Sequence, residues 1–75
     1  MPFSKFEPDH EFPSETKNLL LQLQNMVGPF EYRPVEGRWC IRTIPKLESE
    51  TPLAVLGKTI DAAAHRMMSV VRLID

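Results

Sequence analysis

The chain has 75 residues, 43% of them hydrophobic and 25% charged, with a formal net charge of −1. This profile excludes a disordered chain, leaves room for one domain, and argues against a nucleic-acid binder that works by overall positive charge. Cys40 is the single cysteine, so an internal disulfide, the usual staple of a small secreted domain, is excluded.

The sequence opens at Met1 with no basic segment leading into an apolar run, and no stretch approaches the ~20 apolar residues of a membrane span. The expectation is a complete small cytoplasmic protein.

Residues 1–13 are expected to form an extended N-terminal arm. Pro2, Pro8 and Pro13 block helix and central strand. Phe3, Phe6 and Phe12 fall at multiples of three, the polyproline II repeat, which puts aromatic rings on one side of the arm. The preferred reading is a tail folded back over a thin core. As a docking arm, Phe3 and Phe6 would instead contact a partner.

Residues 14–75 read as one α+β domain. Ser14 is suited to cap a helix over about Glu15–Val27 by accepting a hydrogen bond from an unpaired backbone N–H. Leu19, Leu20, Leu23, Met26 and Val27 form its apolar stripe, Leu21 points away from that stripe, and Gly28-Pro29 ends the helix. A β-hairpin follows, residues 30–35 and 38–44, with a type I′ turn at Glu36–Gly37. This register puts Phe30, Tyr32, Pro34, Trp39, Ile41 and Thr43 on one face. Glu31, Arg33, Val35, Arg38, Cys40 and Arg42 take the other, with Glu31 opposite Arg42. Pro34, lacking an N–H, points to an edge position for the first strand.

After a polar loop over 45–51, two readings compete. Leu53, Leu56, Ile60, Ala63, Met67, Val70 and Ile74 step by three and four, which predicts a continuous helix capped by Thr51 with Pro52 at its first position. The alternative makes 53–56 a third short strand, with Gly57 turning and Thr59 capping a shorter helix. The mid-helix Gly57 and the weakness of an isolated two-stranded hairpin favour that alternative. The continuous helix is preferred. The resulting architecture is helix–β-hairpin–helix (α-β-β-α), helices on one face of an antiparallel sheet, with a third strand at 53–56 in the alternative.

No motif specifies chemistry. Gly57-Lys58-Thr59 matches the end of a phosphate-binding loop, but the glycine required five positions earlier is Pro52. Cys40 and His65 are a candidate thiol–imidazole pair, yet the register puts them on opposite sides of the sheet. Asp61 and His65, four apart on a helix, predict a surface ion pair rather than half of a metal site. Asp9-His10-Glu11 lacks a fold to aim three adjacent side chains at one ion. No cofactor, no metal and no catalytic residue are therefore expected, and a chain this short has little room for a pocket of ~300 Å³ or more.

The main polar feature is the arginine face. Arg33, Arg38 and Arg42 suit the carboxylates of a partner or the phosphates of a nucleic acid, since guanidinium pairs with either in bidentate fashion. The expected function is that of a non-enzymatic, protein-binding regulator or inhibitor, an accessory protein of the kind common in phages and mobile elements. It would act through Arg33, Arg38, Arg42, Phe3 and Phe6. Nucleic-acid binding by the arginine face is the alternative. The heptad-like stripe of the last helix also allows a homodimer.

Overall fold

A two-residue turn, with Glu36 at φ 46° and Gly37 at φ 79°, sets the hairpin register from which the rest of the sheet grows. Both positive angles are those of a type I′ turn, whose twist matches that of the flanking strands. The computed structural model describes residues 2–7, 11–47 and 49–74. Its elements in chain order are β1 (Ser4–Lys5), α1 (Ser14–Val27), β2 (Phe30–Val35), β3 (Arg38–Thr43), β4 (Ala54–Gly57) and α2 (Ile60–Ile74). The strands form one antiparallel sheet in the order β1-β2-β3-β4. The fold is α+β, with both helices packed on one face of that sheet.

The hairpin pairs Val35 with Arg38, Arg33 with Cys40 and Glu31 with Arg42, the register read from the sequence. Side chains alternate across a strand, so Phe30, Ile41 and Val55 point together into the core, all buried. Leu20 and Leu23 of α1 meet them there with Ala63, Ala64 and Met67 of α2. Leu21 is not the exposed residue its wheel position predicted, because it packs half-buried against this cluster. Met26, in the last turn of α1, is the stripe residue left exposed.

The N-terminal segment belongs to the same core. The Phe6 N–H donates to Phe30 O at 3.0 Å, and its ring stacks on Phe30 with centroids 5.0 Å apart and planes 6° from parallel. Phe12 lies 6.2 Å from Phe6 and 5.8 Å from Tyr32, and Tyr32 lies 6.1 Å from Trp39. Spacings of this size suit stacked and tilted aromatic pairs. The arm thereby covers the part of the sheet that the helices leave open. β2 is not the edge strand that Pro34 led us to expect, although Pro34 itself lies beyond the pairing with β1. Its strand pairs with the two-residue β1, which reaches only to Tyr32.

Two further corrections concern helix ends. Ser14 is the first helical residue rather than the cap: Pro13 takes the cap position, its carbonyl accepting from Lys17 N at 2.8 Å, with no side-chain cap. The continuous helix from Pro52 does not form. Residues 54–57 pair with β3 instead, and Thr59 caps α2, its hydroxyl accepting from Ala62 N at 3.0 Å. Gly57 decides between the two. A Cβ there would lie 2.4 Å from Ala63 N and 2.8 Å from Ala63 Cα, so only glycine lets the start of α2 lie against β4.

The aromatic row has a consequence at alkaline pH. Burial raises the Tyr32 hydroxyl above its ordinary value of 10.0, and the nearby Glu7 carboxylate adds to the rise. Above pH 10 the unfolded chain ionises its tyrosine first, so stability falls with rising pH until folded Tyr32 itself titrates. Tyr32 is the single tyrosine, so tyrosinate absorbance reports on it alone. We expect a midpoint above that of a free tyrosine, and loss of this alkaline slope in Tyr32→Phe. A midpoint at the ordinary value would contradict the packing.

Candidate functional site

The sheet face away from the helices carries the candidate site. By register it presents Lys5 of β1, Glu31 and Arg33 of β2, Arg38 and Arg42 of β3, and the apolar side chains Val35, Cys40 and Leu56 among them. This face holds four cations against one carboxylate. The rest of the chain holds five cations against nine carboxylates. A net charge near zero thus conceals a strongly polarised distribution.

The structure brings together four of the five residues singled out as partner contacts. Phe3 lies on the open face with the Arg42 guanidinium 4.0 Å and the Arg33 guanidinium 4.7 Å from its ring centre, within cation–π range. Arg42 is further fixed by Glu31: its Nε donates to Glu31 Oε1 at 2.6 Å, and its Nη2 pairs with the same oxygen. The predicted cross-strand pair is present. Arg38, beside the turn, is exposed. Phe6 requires correction. At 1% exposed it stands in the core and has no surface to offer. Its position in the arm does not separate it from Phe3; alternation does, since Phe3 and Phe6 flank the two residues of β1 and three steps along an extended chain reverse the face.

The remaining candidates do not converge. Cys40 is half-buried on the open face, whereas His65 is exposed on α2, across the sheet. Asp61 and His65 do not pair: Asp61 Oδ1 is buried without a hydrogen-bond partner. The Gly57-Lys58-Thr59 hydroxyl is spent on capping α2. Among the described residues no three His, Cys, Asp or Glu side chains cluster to hold a metal. Asp9, His10 and the Ile74 side chain lie outside the described residues. The apolar stripe of α2, proposed as a dimer seam, is turned into the protein's own core through Ala63, Ala64, Met67 and Met68.

A depression not foreseen in the sequence runs along β4. Arg33, Val35, Cys40 and Leu56 line it from the sheet, and Arg66 and Val70 from α2, around a volume of about 610 Å³. This exceeds the ~300 Å³ judged the practical limit for the chain, but it is a shallow trough and not an enclosed cavity. Its outer wall is the edge of the sheet. The sequence signal for it was the third-strand alternative, which puts Leu56 on the arginine side.

Among the described residues no helix is long and apolar enough to cross a membrane. No family model, curated protein or solved structure matches the chain.

Proposed function

We propose that the protein is a non-enzymatic, protein-binding regulator or inhibitor, acting in the cytoplasm, whose open sheet face engages an acidic surface of a partner protein. The observation that carries this reading is the surplus of positive charge on that face, interleaved with Val35, Cys40 and Leu56. Charge complementarity steers encounter and selects partners, and apolar contacts between the charges hold the complex. Phe3 and Glu31 hold Arg33 and Arg42 in place, which lowers the entropy lost on binding. Lys5 and Arg38, both exposed, are the cations left to meet the partner first. A homodimer through α2 is not part of the proposal, because that helix spends its apolar stripe internally.

The nucleic-acid alternative rests on the same four cations. Stacking of bases on an aromatic platform usually accompanies such binding. Here the Phe3 ring is engaged by two guanidinium groups, and the other aromatic rings lie on the covered face.

The test is capture of partners from host extract by wild type and by Arg38→Glu, with circular dichroism confirming that the variant folds. We expect one acidic partner to be retained by wild type, in a salt-sensitive manner, and to be weakened severalfold by the reversal. In parallel, a labelled 20-mer duplex is titrated at about 50 and 200 mM salt, a range over which phosphate contacts lose affinity steeply. Salt-steep duplex binding that disappears in Arg33→Ala/Arg38→Ala, with no protein captured, would replace the proposal with the alternative.

A further inference from the structure

We infer that the outer edge of β4 takes up an extended acidic segment of a partner protein, which adds to the sheet as a further strand. The inference rests on the protein-binding reading above and specifies how the partner is held.

The phase of backbone bonding along β4 follows from one contact. Thr43 N donates to Leu53 O at 2.9 Å, and hydrogen-bonded pairs alternate along an antiparallel ladder. Val55 and Gly57 therefore turn their backbone groups toward β3, while Ala54 and Leu56 turn their N–H and C=O groups outward. Among the described residues no strand lies on that side. Native sheets protect such edges with charged side chains, proline or bulges. The four residues of β4, Ala-Val-Leu-Gly, contain no charge and no proline, and their register with β3 is unbroken. Among the described residues the guard is Arg66, whose Nη1 donates to Leu56 O at 3.1 Å.

The same surroundings select the chemistry of the added strand. The trough beside the edge has Arg33 on one side and Arg66 on the other, and among the described residues no carboxylate lines it. A strand presents alternate side chains to opposite faces, so glutamates or aspartates at alternate positions would all line one face and meet Arg33 or, with the strand turned over, Arg66. A carboxylate is a better acceptor for guanidinium than an amide carbonyl. Transfer of Arg66 from Leu56 O to an incoming carboxylate would free that carbonyl for the new strand. A second copy of this chain fits worse. Its own β4 offers no carboxylate, and two-fold pairing would bring like guanidinium groups together.

The probe is a fluorescein-labelled eight-residue peptide of alternating valine and glutamate, followed by anisotropy. We expect saturable binding, absent for the valine–lysine counterpart. Binding should be weaker by about tenfold or more, roughly the loss of one or two backbone hydrogen bonds, in Ala54→Pro. That substitution removes an outward N–H at a position where an edge strand tolerates proline. N-methylation of alternate peptide amides should have the same effect without altering the protein, which keeps the test decisive should Ala54→Pro fail to fold. Unchanged binding of the methylated peptide, with loss in Arg38→Glu, would overturn the edge while sparing the acidic-partner reading. No binding by this peptide or by polyglutamate would overturn both. A dimer in sedimentation that Ala54→Pro dissociates would give the edge to a second copy and overturn the inference.

Discussion

Gly57→Ala is expected to remove a large part of the protein's stability. The added methyl would meet Ala63 N at 2.4 Å, Ala63 Cα at 2.8 Å and Ala62 C at 2.9 Å. All three are backbone atoms, so no side chain can rotate aside. The first turn of α2 would have to lift from the sheet, and Ala63 and Ala64, both buried, would leave the core with it. Overpacking costs about 1–3 kcal/mol and occasionally more, and a clash of backbone against backbone belongs at the upper end of that range, against a total stability of roughly 4–11 kcal/mol for a chain of this length. The cause is steric, since Gly57 is not among the positive-φ residues. Denaturant melts followed by circular dichroism check it. A midpoint within error of wild type would show that α2 does not approach β4 this closely.

Phe6→Ala carries the second large effect. The ring is 1% exposed, stacked on Phe30 and in contact with Phe12, and removing a buried phenylalanine costs about 3–5 kcal/mol. For a domain of this size that corresponds to a fall in Tm of at least about 12 °C. The loss should also reach the binding face. Phe6 anchors β1 to β2, and β1 carries Phe3 to its place over Arg33 and Arg42. Trp39, the only tryptophan, ends the aromatic row beside Tyr32, so its emission should shift to the red in the same transition. A Tm drop of only a few degrees would mean that the arm is an accessory to the core and not part of it.

Those two residues also mark what could be read from the sequence and what could not. The hairpin register was legible because alternation and a turn ending in glycine left one pairing that separates apolar from charged side chains. The Glu31–Arg42 pair and the open arginine face followed from it. The 53–57 segment was ambiguous because Leu53, Leu56 and Ile60 satisfy a helical period as well as a strand leading into a helix. Periodicity does not register that β4 and α2 touch backbone to backbone at Gly57, and this contact decides the matter. Phe6 was misassigned for a related reason. A repeat of three groups Phe3 with Phe6, whereas the extended chain on either side of β1 alternates every residue and sends them to opposite faces. The Ser14 cap failed at a helix end, where a shift of one residue is common. The edge of β4 became visible only once the third strand existed.

The polarised charge also governs how the protein meets a charged solid surface. A chain with a nominal isoelectric point near 6.1 is conventionally sent to an anion exchanger at neutral pH. Here Lys5, Arg33, Arg38 and Arg42 share one side of a particle whose extents are 33 × 25 × 22 Å, several times the ~8 Å Debye length at physiological ionic strength. A sulfonate bead therefore senses that side separately from the acidic remainder. Retention on both types of resin, each in its own orientation, is the chromatographic signature of such a molecule.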